Sequence, residues 1–111
     1  MPNAAMAIVE REKVTQYLLN PHHPLGASKE RFFARFGFGI DSWELLREAL
    51  LQHGRTHPVA RETHTDFGVR FEIDGELDTP SGRRPILRTV WQRDVGRIAP
   101  RLITAYPAGS P

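Results

Sequence analysis

Val69-Arg70-Phe71-Glu72-Ile73-Asp74-Gly75-Glu76-Leu77 is the stretch that decides the fold. Apolar Val69, Phe71, Ile73 and Leu77 alternate with charged Arg70, Glu72, Asp74 and Glu76, a period of two that predicts a strand with one buried and one solvated face. Downstream, Pro80-Ser81-Gly82 supplies turn chemistry, and Ile86 to Gln92, rich in β-branched and aromatic residues, predicts the next strand. Asp94 to Pro100, with Gly96, is a connection, and Arg101 to Tyr106 is a final strand. Strands joined this closely pair antiparallel. Upstream, Thr56 to Thr65 reads as an edge strand or a loop, because Pro58 removes a backbone donor.

Before Thr56 the period lengthens. Trp43, Leu46 and Leu50 share a helical face flanked by Leu45 and Ala49. Asp41 and Glu44 form a capping-box pair, and Gly54 stands where a left-handed cap would close the helix. Phe32, Phe33 and Phe36 stripe a second helix from Lys29 to Phe36, with Ser28 as its N-cap and Gly37 and Gly39 at its end. Val14, Tyr17 and Leu18 stripe a first helix from Glu10 to Leu19, which Asn20-Pro21-His22-His23-Pro24 stops. The expectation is an α+β fold, about three N-terminal helices packed on one face of a twisted antiparallel sheet of three to four strands. Residues 1–111 make one domain, with 1–7 and 107–111 as frayed tails.

Composition narrows the function. A chain of 111 residues buries a real core, and 40% apolar with 25% charged residues is ordinary for a globular protein. No apolar run reaches bilayer-spanning length, and Met1 to Arg11 lacks the layout of a signal peptide, so a cytoplasmic protein that does not engage membranes is expected. Cysteine is absent, which removes disulfides and thiolate metal sites. The net charge of +2 rests on thirteen arginines against two lysines, Lys13 and Lys29. Guanidinium forks suit phosphate; the arginine-favouring codons of a GC-rich genome give the same bias.

Five histidines, His22, His23, His53, His57 and His64, show no zinc-protease spacing, and there is no glycine-rich phosphate loop or nucleophile elbow. No metal or cofactor is expected. His23 stands in a proline-bracketed loop that either presents the ring or satisfies backbone groups with it. Lys29 shares a helical face with Phe33 and Phe36. His53 extends the apolar stripe of the third helix, where the helix dipole favours its charged form. In the last strands, alternation puts Thr89 and Trp91 on one face and Arg88 on the other, while Thr104 and Tyr106 share a face. Hydroxyls, an aromatic platform and arginines are the means of holding a phosphodiester and stacking a base.

Several blocks together carry a resemblance. They are Tyr17-Leu18-Leu19-Asn20-Pro21 with His23-Pro24 and Gly26, Lys29, Phe32-Phe33, Phe36-Gly37-Phe38, Trp43, His53, Gly82-Arg83, Thr89-Val90-Trp91 and Thr104-Ala105-Tyr106-Pro107. With them the chain resembles, over nearly its whole length, a family of small uncharacterised bacterial domains. Members of that family are similar to toxin domains of polymorphic toxins and toxin–antitoxin pairs, and to ribonucleases of the barnase, EndoU, colicin and RelE type. The resemblance implies a metal-independent endoribonuclease in which the RNA 2′-hydroxyl attacks the adjacent phosphate. A small β-rich antitoxin or immunity protein would hold it in check. It nominates His23 or Lys29 as general base and acid, Arg88 to neutralise the phosphate, Thr104 and Tyr106 to donate to its oxygens, and Thr89 beside them. The competing expectation is a non-catalytic protein- or RNA-binding module: an immunity protein, an adaptor or a degenerate toxin fold. The RNA target and the oligomeric state are not readable from the sequence.

Overall fold

The structure is a computed structural model that describes residues 1–108. After a 3-10 turn at Ala4–Met6, helix α1 runs Arg11–Lys13 and widens into a π-helical turn at Val14–Leu18. Helix α2 covers Ala27–Arg35, and a 3-10 turn at Ile40–Ser42 leads into α3, Trp43–Thr56. Strands β1 (Val59–Thr65), β2 (Gly68–Glu76), β3 (Ile86–Asp94) and β4 (Arg101–Pro107) come next and pair antiparallel in the order β1-β2-β3-β4. This is the expected α+β architecture, with the helices on one sheet face. Val14, Leu18, Phe33, Leu46 and Leu50 from the helices meet Phe71, Ile73, Leu87, Trp91, Leu102 and Ala105 from the strands in one core. Each of the Val, Leu, Ile and Phe side chains among them contributes about 1.5–3 kcal/mol on leaving water.

Several local expectations are corrected. Ser28 does not cap α2: the helix starts two residues earlier, from Gly26, whose carbonyl accepts from Glu30 N–H at 2.8 Å. Asp41 lies in the 3-10 turn, and no side chain caps α3, so the capping box does not form. Gly54 does not close α3 in a left-handed conformation; the helix runs on to Thr56. Glycine is needed there because a Cβ would lie 2.6 Å from the Trp91 ring. Gly37 does end α2 as expected, at φ 95°, with Phe38 N–H reaching Phe33 O and Gly37 N–H reaching Ala34 O.

The ambiguous stretch after Thr56 resolves into an edge strand that starts just beyond Pro58. Residues 1–7 are not a frayed tail. Ala7 and Val9 are buried, and Ile8 bridges to the start of β4 through Ile8 N–H to Pro100 O (2.8 Å) and Leu102 N–H to Ile8 O (2.9 Å). Pro107 belongs to β4, and 109–111, also expected as tail, lie outside the described residues. No helix is long and apolar enough to cross a membrane among the described residues.

The register of β4 decides which of its side chains reach each sheet face. Trp91 pairs with Leu102 and Val90 with Thr104, so Ile103 is an extra residue in a bulge. The bulge changes the strand's phase. Leu102 and Ala105 both face the core, while Tyr106 pairs with Arg88 on the face without helices, and Thr104, opposite Val90, lies at the sheet edge within reach of the helical layer.

Candidate active site

The loop after α1 is built around His23. Its Nδ1 accepts two backbone N–H groups, from Leu25 and Gly26, each at 3.0 Å. Those bonds require a bare Nδ1, which places the proton of the neutral ring on Nε2. The His23 ring meets Tyr17 edge-on at 5.0 Å between centroids. Gly26 permits this packing, since a Cβ there would fall 2.1 Å from the Tyr17 carbonyl oxygen. In the π-helical turn Leu19 N–H bonds Val14 O, five residues back, a widening frequent near functional sites.

Tyr17 is the centre of the cluster. Its hydroxyl lies 3.0 Å from Thr104 Oγ1, joining the helical layer to β4. The ammonium groups of Lys13 and Lys29 stand 5.4 and 5.5 Å from its ring centroid. Lys29 Nζ also donates to Leu25 O at 3.4 Å. Beside this cluster an open groove of roughly 390 Å³ is lined by Glu10, Glu12, Lys13, Gln16, Tyr17 and His23. Of the nominated residues, His23, Lys29 and Thr104 therefore gather around Tyr17, and Tyr106 lies two residues further along β4.

Arg88 and Thr89 sit elsewhere. Arg88 shares the open face with Tyr106 but is fully engaged: Nε and Nη2 donate to Asp74 at 2.7 and 2.8 Å, and Nη1 donates to Glu72 at 3.2 Å. Hydrogen bonds that Arg88 donates to Asp74 and then to Tyr106 raise the Arg88 pKa further, and the Arg88 bond holds the Asp74 carboxyl below its usual range. Two carboxylates around one guanidinium leave no free fork for a phosphate. Thr89 is fully enclosed on the opposite face. The expected aromatic platform is also absent from the surface, because Trp91 is fully buried.

The core beneath holds a closed polar chain. Trp91 Nε1–H donates to Thr89 Oγ1 at 2.8 Å, the Thr89 hydroxyl donates to His53 Nδ1 at 2.9 Å, and His53 Nε2–H reaches Leu87 O at 2.9 Å and Gly75 O at 3.1 Å. Every member finds a partner only if the ring is neutral. Burial lowers the His53 pKa, and neighbouring His57 adds to that. The charged form expected from the helix dipole is thus corrected: desolvation outweighs the dipole here.

Tyr17 was missed as a site residue because its helical spacing reads as core. The available signal was its place in the Tyr-Leu-Leu-Asn-Pro block beside two lysines. Among the described residues no three His, Asp or Glu side chains gather closely enough to hold a metal ion.

A family model described as Domain of unknown function (DUF6883) matches residues 1–109. The chain belongs to this family. That agrees with the resemblance to uncharacterised domains. A chain in a contact-dependent growth inhibition toxin–immunity protein complex from Klebsiella pneumoniae 342 has the same fold, with a TM-score of 0.73 at 15% identity, covering 91% of this family member and 99% of that chain. No curated protein matches.

Proposed function

We propose that the domain is a toxin-type endoribonuclease. Its site is the groove beside Tyr17, His23, Lys29 and Thr104, continued along β4 to Tyr106. The observation that carries this reading is the Tyr17–Thr104 hydroxyl pair, 3.0 Å apart, with an imidazole and two ammonium groups gathered on the same tyrosine ring. Hydroxyls, N–H donors and cations held in one place suit a phosphodiester whose charge grows as the 2′-hydroxyl attacks. The fold shared with a chain of a toxin–immunity complex supports a toxin or immunity role and a partner protein of the complementary kind.

The geometry redistributes the expected roles. With Nδ1 occupied, His23 acts as a donor through Nε2–H. Lys29 supplies positive charge, and Tyr17, Thr104 and Tyr106 supply hydroxyls. Arg88, held by two carboxylates, orients Tyr106 and does not meet the phosphate. Thr89 belongs to the core. As the 2′-oxygen bonds phosphorus and the bond to the 5′-oxygen breaks, the 2′-hydroxyl proton passes to solvent and the Lys29 ammonium gives one to the leaving oxygen. The rate comes from positioning and charge stabilisation.

The occupied forks of Arg88 and the occupied Nδ1 of His23 favour a second reading, a non-catalytic protein- or RNA-binding module. Induced expression in a bacterial host, scored for growth and for total-RNA integrity, separates the two. The nuclease predicts arrest with cleaved RNA, relieved by Tyr17→Phe and His23→Ala. Normal growth with intact RNA at good soluble expression rejects it in favour of the module.

A further inference from the structure

Trp43, at the start of α3, packs its inner edge on the core yet remains partly exposed. Two guanidinium groups lie over its ring as cation–π partners: Arg47 Cζ is 4.4 Å and Arg11 Cζ 5.5 Å from the centroid. Arg47 is anchored by its Nε, which donates to Val9 O at 3.0 Å. The arginine ion pairs of the described residues all involve Arg61, Arg84, Arg88 and Arg101, so the charges of Arg11 and Arg47 are uncommitted. The cluster adjoins the groove through α1, since Arg11 lies between Glu10 and Glu12, which line the groove with Lys13 and Tyr17. The molecule thus carries planar cations on a fixed aromatic support beside the candidate active site.

We infer that Arg11, Trp43 and Arg47 form a stacking site for an unpaired base of single-stranded RNA flanking the groove, resting on the nuclease reading of that groove. A guanidinium held at an aromatic ring can offer its face to a nucleobase and its free N–H groups to the adjoining phosphate. Glu10 and Glu12 oppose phosphate along the same stretch. Affinity therefore depends on the stacked planes more than on net charge, and duplex RNA, whose bases are not available for stacking, binds poorly.

The test is fluorescence-anisotropy binding of the whole protein to a short labelled 2′-O-methyl RNA strand, which lacks the attacking hydroxyl and stays intact. Wild type is expected to bind it more tightly than the same strand in a duplex. Arg11→Ala and Arg47→Ala should each weaken binding about tenfold, and Arg11→Lys, which keeps charge but loses the plane, should weaken it nearly as much. Thermal melts of each variant establish that it is folded. Binding unchanged in folded Arg11→Ala, full recovery by Arg11→Lys, equal affinity for an abasic strand, or no binding by wild type each overturns the stacking site. The nuclease reading fails separately: a wild type that binds this strand through Arg11 and Arg47 yet leaves unmodified RNA intact keeps the stacking site and loses the catalysis.

Discussion

His53 is held neutral by two hydrogen bonds to carbonyls on one side and by a hydroxyl donor on the other, in a buried position. Its folded pKa is depressed, so the unfolded chain takes up a proton near the ordinary imidazole value of about 6.5 while the folded one does not. Stability is then complete above that value and declines as pH falls below it, the sign required when the unfolded state binds more protons. Urea unfolding between neutral pH and mild acid should show this decline. His53→Ala should flatten it while costing about 3 kcal/mol at neutral pH, because Thr89 and two carbonyls lose their partner. At the candidate site, Tyr17→Phe removes one hydroxyl and leaves the ring. It should cost on the order of 100-fold in RNA cleavage and only about 1 kcal/mol in stability, measured as cleavage rate against thermal melt. Sequence placed His53 and Tyr17 on helical stripes correctly. It misjudged the charge of the first and the role of the second, since neither burial nor a partner on a distant strand is written in helical spacing.

Glycines and one bulge shape the elements around the site. Gly54 lies inside α3, where alanine ordinarily gains about 1 kcal/mol. Its Cβ would meet the Trp91 ring at 2.6 Å, and overpacking costs roughly 1–3 kcal/mol. Gly54→Ala should therefore lower Tm. Gly82→Ala, where open space surrounds the Cβ but φ is 83°, isolates the backbone cost for comparison. β2 is readable because its alternation runs from Val69 to Leu77, and β3 because β-branched and aromatic residues crowd it. In β4 the alternation of Leu102 and Thr104 hides the extra residue at Ile103, and only the register shows that Leu102 and Thr104 are out of phase. The caps expected from Ser28 and Asp41 failed for a related reason: close packing of Gly26 on Tyr17 and the 3-10 turn before Trp43 fix the helix starts, and cap chemistry does not override them.

At the level of the whole molecule the two sheet edges are treated differently. β1 is an exposed edge, whereas the first residues of β4 are covered by Ile8. Removing residues 1–9 takes away two backbone hydrogen bonds and the buried Ala7 and Val9. The expected loss is roughly 2–3 kcal/mol, a fall in Tm of roughly ten degrees for a chain of this size, which a frayed tail would not produce. The open sheet face adds a second acid-sensitive range. Hydrogen bonds from Arg88 and Arg101 hold Asp74 and Asp94 below the usual carboxylate range. Their stabilisation is present above the unfolded value of about 3.9 and lost as pH falls through the depressed folded values, so it disappears well below the range in which His53 acts.

The two tryptophans of the chain make a pair of built-in optical reporters. Trp91, dry and bonded through its indole N–H, should emit in the blue and shift to the red only when the core opens. Trp43, at the surface between arginines, should dim when a nucleobase stacks beside it while the emission of Trp91 stays constant. One spectrum, resolved by quenching with iodide, would then read occupancy and folding separately in unlabelled protein.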